Sequence, residues 1–147
     1  MLSKKSKYAI NALLYIARHA EEGRPILASE IAKSESIPHK FLEAILLDLK
    51  NAGILRSKRG RHGGYFLKML PDEINLITVM RLFDGPIALL PCVSLNYYDT
   101  CDECQDEKTC GIRTVFLMIR DHTLATLRDN TLAVILEREK VMKEVER

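Results

Sequence analysis

Outside residues 92–110 the chain has no cysteine, so nothing else in it could be pinned by disulfides or hold a thiolate-bound metal. It has no tryptophan, and no uncharged run approaches the roughly 18 residues of a membrane span. The opening stretch MLSKKSKYAINALLYIA places lysines before apolar residues. Asn11 and Arg18 break the apolar character and no small-residue cleavage site follows, so a signal peptide is not expected. Neither GxxxxGK[ST] nor GxGxxG occurs, which argues against phosphate loops of the Walker A and dinucleotide types. No serine–histidine–carboxylate grouping or paired-carboxylate motif stands out, so no enzyme is expected. Repeats and low-complexity segments are absent as well. Together these absences predict a cytoplasmic protein with reduced cysteines and no membrane partner.

With 147 residues and 47% apolar side chains, a single small domain with an appendage can bury a core without disulfides. The net charge of +2 hides an asymmetry. Residues 1–68 hold 13 Lys/Arg against 6 Asp/Glu, whereas residues 69–147 hold 9 against 14. A basic half beside an acidic half points to a polyanionic partner for the first.

From Ser3 to Ala20, apolar residues recur at helical spacing, with Ser3 or Ser6 as caps. Glu21–Pro25 breaks that helix, and Ala28–Lys33 forms a short second one. Ser34–Ile37 reads as a polar turn with one apolar plug. Pro38 is expected at the first position of a third helix with a stripe of Phe41, Leu42, Ile45, Leu46 and Leu49, closed at Gly53. Ile54–Lys58 and Tyr65–Leu67 pattern as strands around a basic glycine-rich tip, Arg59–Gly64. A short helix follows over Ile77–Phe83, then a loop over residues 91–110. From Gly111 the pattern is helical again, and Val115–Ile119 is apolar on more faces than an exposed helix can hide, which predicts a subunit interface. Asn130 or Thr131 would cap a last helix, Leu132 to about Glu144.

The expected fold is therefore mostly α with a small β-hairpin wing: a winged helix-turn-helix plus a long dimerisation helix. The expected divisions are a DNA-binding domain over residues 1–85, a cysteine-bearing sensor loop over 86–110, and dimerisation and C-terminal helices over 111–147. The third helix would enter a major groove by its N-terminal end, offering His39, Lys40, Phe41 and Glu43. In the wing, glycines allow close approach to DNA and Arg59 and Arg61 suit a narrow minor groove, with His62 and Tyr65 beside them.

Cys92, Cys101, Cys104 and Cys110 admit several readings. Zinc is served by Cys101-x-x-Cys104, but a second CxxC is missing. Metal-free thiol sensing is disfavoured by Asp102, Glu103, Asp106 and Glu107, which oppose thiolate formation. A third reading is reduced cysteines in a surface loop with no ligand; the loop's polarity argues against their burial as small hydrophobes. An iron–sulfur cluster is the fourth reading, thiolates being its usual ligands.

The chain resembles the Rrf-two family of bacterial transcription regulators over nearly its whole length. The resemblance rests on Lys7-Tyr8-Ala9, Glu30-Ile31-Ala32, Ile37-Pro38, Phe41-Leu42-Glu43 and Leu49–Gly53. It continues through Ser57–Leu67, Glu73-Ile74, Asp84–Ile87, Cys92, Cys104, Cys110 and Thr131-Leu132. It implies a homodimer joined by the helix after Cys110, a near-palindromic double-stranded operator, and groove contacts from Phe41, Glu43, Arg59 and Tyr65. It also implies an iron–sulfur cluster, carried by some members and not others, with Cys92, Cys104 and Cys110 as ligands. A fourth ligand used by some members is an aspartate near the N-terminus, where Lys7 stands. Another is a histidine three residues past the last cysteine, where Arg113 stands. The resemblance thus leaves Cys101 as fourth ligand, with a cluster-free regulator acting through thiol redox or a partner protein as the alternative. A redox enzyme using the cluster for electron transfer is a more distant rival.

Overall fold

The computed structural model describes residues 2–147. In chain order the helices are α1 (Lys4–Arg18), α2 (Ala28–Ser34) and α3 (His39–Asn51). The strands β1 (Leu55–Lys58) and β2 (Gly64–Leu67) follow, then α4 (Leu76–Asp84), α5 (Gly111–Asp129) and α6 (Leu132–Val145). The mostly helical winged architecture is as the patterning predicts.

Ser3 starts α1 by accepting the Ser6 N–H on its Oγ at 3.1 Å, satisfying one of the unpaired donors of the first turn. The inward stripe of α1, Ala9, Ala12, Leu13 and Ile16, forms the centre of the core. Between α2 and α3 the chain turns through Ser36 at φ 52°, and Ile37 is the buried plug. Pro38 caps α3 rather than forming its first helical residue: its extended ψ of 127° keeps it just outside the helix. Leu42, Ile45, Leu46 and Leu49 then face inward, each contributing on the order of 2 kcal/mol by its burial. Gly53, at φ 78°, ends the helix in the left-handed region.

β1 and β2 pair antiparallel from Leu55↔Leu67 to Lys58↔Gly64. The hairpin is docked to the body by two backbone hydrogen bonds between Ile26 and Tyr65, of 2.9 and 2.8 Å. That docking dictates a glycine. A Cβ on Gly64 would lie 2.6 Å from the Ile26 carbonyl oxygen, and one on Gly63 would lie 2.2 Å from that of Lys58. These two glycines are thus required by packing within the protein itself.

Asn75 caps α4 and pairs with Thr131 in an isolated antiparallel bridge. The Leu132 N–H donates to Ile74 O at 2.9 Å, and the Leu132 side chain is fully buried in the same core as α1 and α3. The start of α6 therefore belongs to the core of the winged unit. By contrast, α5 buries Leu124 alone. Ile112, Val115 and Met118 are 67%, 53% and 69% exposed, an apolar stripe with nothing of this chain over it. No helix among the described residues is long and apolar enough to cross a membrane.

Candidate nucleic-acid interface and thiol loop

The four buried leucines and isoleucines of α3 fix which side of that helix faces outward. Lys40, Ala44, Leu47 and Asn51, spaced by three or four residues, occupy the opposite face, with Glu43 at its margin. His39, Lys40, Phe41 and Glu43 are all exposed at its N-terminal end. The Nδ1 of His39 stands 3.7 Å from the Glu43 carboxylate. The Phe41 ring meets Tyr8 of α1 edge-on at 5.9 Å between centroids, which couples α3 to α1.

The wing stands beside this helix. Tyr65 is half-buried near the start of β2, where burial first and the Glu43 carboxylate second raise its phenol above the ordinary value. Glu43 and Tyr65 thus belong to one surface formed by α3 and the wing. Arg59, Arg61 and His62 lie exposed at the tip, and Gly60 takes φ 106° there.

Lys5 pairs with Asp48 at 2.9 Å, Arg18 with Glu139 at 2.8 Å, and Arg24 with Glu30 at 2.8 Å. Glu30 is held down to about 2, chiefly by hydrogen bonds from Arg24, with the Tyr15 hydroxyl adding another. The Lys5 and Arg18 pairs tie α1 to α3 and α6, and the Tyr15 hydroxyl on Glu30 ties it to α2. Lys40, Arg56, Lys58, Arg59 and Arg61 form no salt bridge among the described residues. Arg56 lies over the Phe66 ring at 4.8 Å. Positive charge left uncompensated on α3 and the wing is an anion-binding surface. Arg56 escaped the sequence reading because its strand position carries no motif. Ala44 and Leu47 were legible from the i, i+4, i+7 spacing after Lys40.

In the loop, all four cysteines are free. Cys92 is 4% exposed, in a short 3-10 turn with Val93, which corrects the expectation that a polar loop would leave its cysteines unburied. The fixing contact comes from α5: Arg120 donates through Nη1 to Val93 O at 2.7 Å. Cys101, Cys104 and Cys110 are half-buried. The Cys110 Sγ accepts the Arg113 N–H at 3.4 Å and caps α5. Burial and the neighbouring Cys110 raise the Cys104 thiol. At Cys101 a backbone hydrogen bond favours the thiolate, but the Glu103 carboxylate, 3.3 Å from Sγ, and burial outweigh it, and this thiol is raised too. Tyr98 donates to Glu107 at 2.6 Å beside them. Among the described residues no three His, Cys, Asp or Glu side chains converge on one point as a single metal ion requires. Loop thiols, acidic neighbours and a helix cap therefore share one short segment.

Residues 2–138 match the profile of a family described as Rrf2, iron-dependent transcriptional regulator. An rrf2-like HTH-type transcriptional regulator of Rhodobacter capsulatus is 47% identical over 118 residues, 79% of each chain. The HTH-type regulator IscR of Aliivibrio salmonicida is 36% identical over 62% of this chain and 54% of its own. The structure of CymR, titled the global cysteine regulator of Bacillus subtilis, superposes with a TM-score of 0.77 at 26% identity. It covers 94% of this chain and 97% of that one.

Proposed function

Because the chain belongs to the Rrf2 family of transcriptional regulators, we propose that it binds a near-palindromic double-stranded operator as a homodimer in the cytoplasm. In this reading it senses iron, redox or nitric oxide state through an iron–sulfur cluster in its cysteine loop. The observation that carries the DNA reading is the joint surface of α3 and the wing, where Lys40, Arg56, Lys58, Arg59 and Arg61 form no salt bridge among the described residues. Lys40, Glu43 and their neighbours meet the major groove. Arg59, Arg61 and His62 reach the flanking minor groove, and His39, Phe41 and Tyr65 brace the two elements or touch the backbone. Residues 1–85 serve as the DNA-binding part, 86–110 as the sensor loop and 111–147 for dimerisation. The uncovered stripe on α5 supports the homodimer. Two recognition helices must then match half-sites about 34 Å apart, so a small rotation of the subunits changes affinity.

The donor set fits an iron–sulfur cluster in chemistry: four free thiols lie within one loop. Cys92, Cys101, Cys104 and Cys110 would hold it. A bound cluster would supply a centre that alters its charge or ligation with oxidant, nitric oxide or iron supply. The chain's own residues link that segment to the dimer helix, Cys110 by capping α5 and Arg120 by holding the turn of Cys92. The second reading is a cluster-free regulator that acts through thiol redox or a partner protein. Of its two forms, metal-free thiol redox is weakened by the raised thiols of Cys101 and Cys104, which are poor nucleophiles while protonated.

Anaerobic purification separates the readings. A brown protein containing iron and sulfide, whose visible absorption is lost or destabilised in Cys101→Ala, supports the cluster. A colourless protein that still footprints DNA supports the second reading. A salt titration with no loss of affinity would refute phosphate-driven binding altogether.

A further inference from the structure

Leu47 is 52% exposed at the middle of the outward face of α3, one turn beyond Glu43 and in line with Lys40 and Ala44. The inner face of the helix already supplies four buried residues to the core, so Leu47 is not needed there. Polar side chains border it: Lys40 and Glu43 toward the N-terminus, Asn51 toward the C-terminus. The apolar spot is thus continuous with the face that carries Lys40, and a duplex laid along that face would cover it. Of the groups on a major-groove floor, the C5-methyl of thymine is the apolar one.

We infer that Leu47, with Ala44 beside it, reads thymine methyl groups in the major groove and makes the chain select A·T pairs beneath the third turn of α3. The inference rests on the DNA-binding reading above. It adds an apolar specificity element to a helix otherwise read by charge.

The probe is a duplex enriched from a randomised pool by the full-length wild-type protein, with each thymine replaced in turn by uracil, which removes only the methyl. At one position per half-site, uracil should weaken wild-type binding about fourfold, the value of one buried methyl group. In Leu47→Ala, uracil and thymine at that position should bind alike, whereas Leu47→Met should keep most of the discrimination. Because Leu47 is exposed, the alanine variant should unfold at the wild-type temperature. Equal tolerance of uracil everywhere by the wild type, or discrimination that survives in Leu47→Ala, overturns the inference and leaves DNA binding intact. Failure to enrich any duplex overturns both.

Discussion

Replacing Gly64 with alanine should loosen the wing from the body of the protein. The new Cβ would lie 2.6 Å from the Ile26 carbonyl oxygen and 3.0 Å from the Ile26 nitrogen. These atoms make the two hydrogen bonds that dock the hairpin. Gly64 also sits at φ 149°, which L residues rarely adopt. Losing both hydrogen bonds costs about 1 kcal/mol each, and the backbone strain adds about 1 kcal/mol. The sum, about 3 kcal/mol, is a large part of the 5–15 kcal/mol typical of a folded domain. For a chain of this length it lowers Tm by about 10 °C at fixed protein concentration. Gly53→Ala is the matched control: it shares a positive φ, of 78°, but its Cβ meets nothing within 4 Å. It should therefore show only the strain, about 1 kcal/mol and about 3 °C. Thermal and urea unfolding of the two variants measure the difference. Equal shifts would refute the steric account of the wing. The Gly64 variant should also lose DNA affinity at temperatures where it remains folded, because the wing no longer holds Tyr65 beside Glu43.

Other outcomes follow from the same surfaces. Glu30 titrates near 2 in the folded chain, against 4.5 for a free side chain. The stability it supplies is therefore complete above about pH 4.5 and lost as pH falls through 2. Urea midpoints of wild type and Glu30→Gln should differ at neutral pH and converge across that interval; a constant gap would contradict the Arg24 pairing. Arg61→Ala removes one unpaired cation from each wing of a dimer, so the slope of log affinity against log salt should become shallower by about 1.8. Weaker binding with an unchanged slope would show that Arg61 does not neutralise a phosphate. Val115→Asp puts a charge in the exposed stripe of α5. Analytical ultracentrifugation should then find a species near the 16.8 kDa of one chain, and a dimer persisting at micromolar concentration would place the interface elsewhere.

The helices were legible because local rules decide them. Ser3 as a cap, the leucine stripe of α3 and the stop at Gly53 each need only a few neighbouring residues. The wing was legible for the same reason, although the sequence does not say that Gly64 faces Ile26, which lies far away along the chain. Long-range partners were illegible throughout. Arg24 reaching Glu30 across a turn, Arg18 joining α1 to α6, and Arg120 holding the carbonyl of Val93 have no spacing that announces them. The burial of Cys92 was missed because the polar run over residues 99–109 sets the character of the loop, whereas Cys92 belongs to the apolar stretch before it, in a short turn held by α5. On α3 the exposed face could be read, but charge drew attention to Lys40 and Glu43 and away from Leu47.

The placement of Leu132 has a bearing on how this protein is made. Its side chain completes a core otherwise built from residues 9–79, and its N–H closes on the carbonyl of Ile74. A ribosome adding 5–20 residues per second needs about 3–12 s to travel from Ile74 to Leu132. Throughout that interval the nascent winged unit has a gap where Leu132 will sit and an unanswered carbonyl at its rim. The winged unit thus reaches its final rigidity only after the cysteine loop and α5 have been synthesised. A chain cut short within either should therefore be less stable than the finished protein.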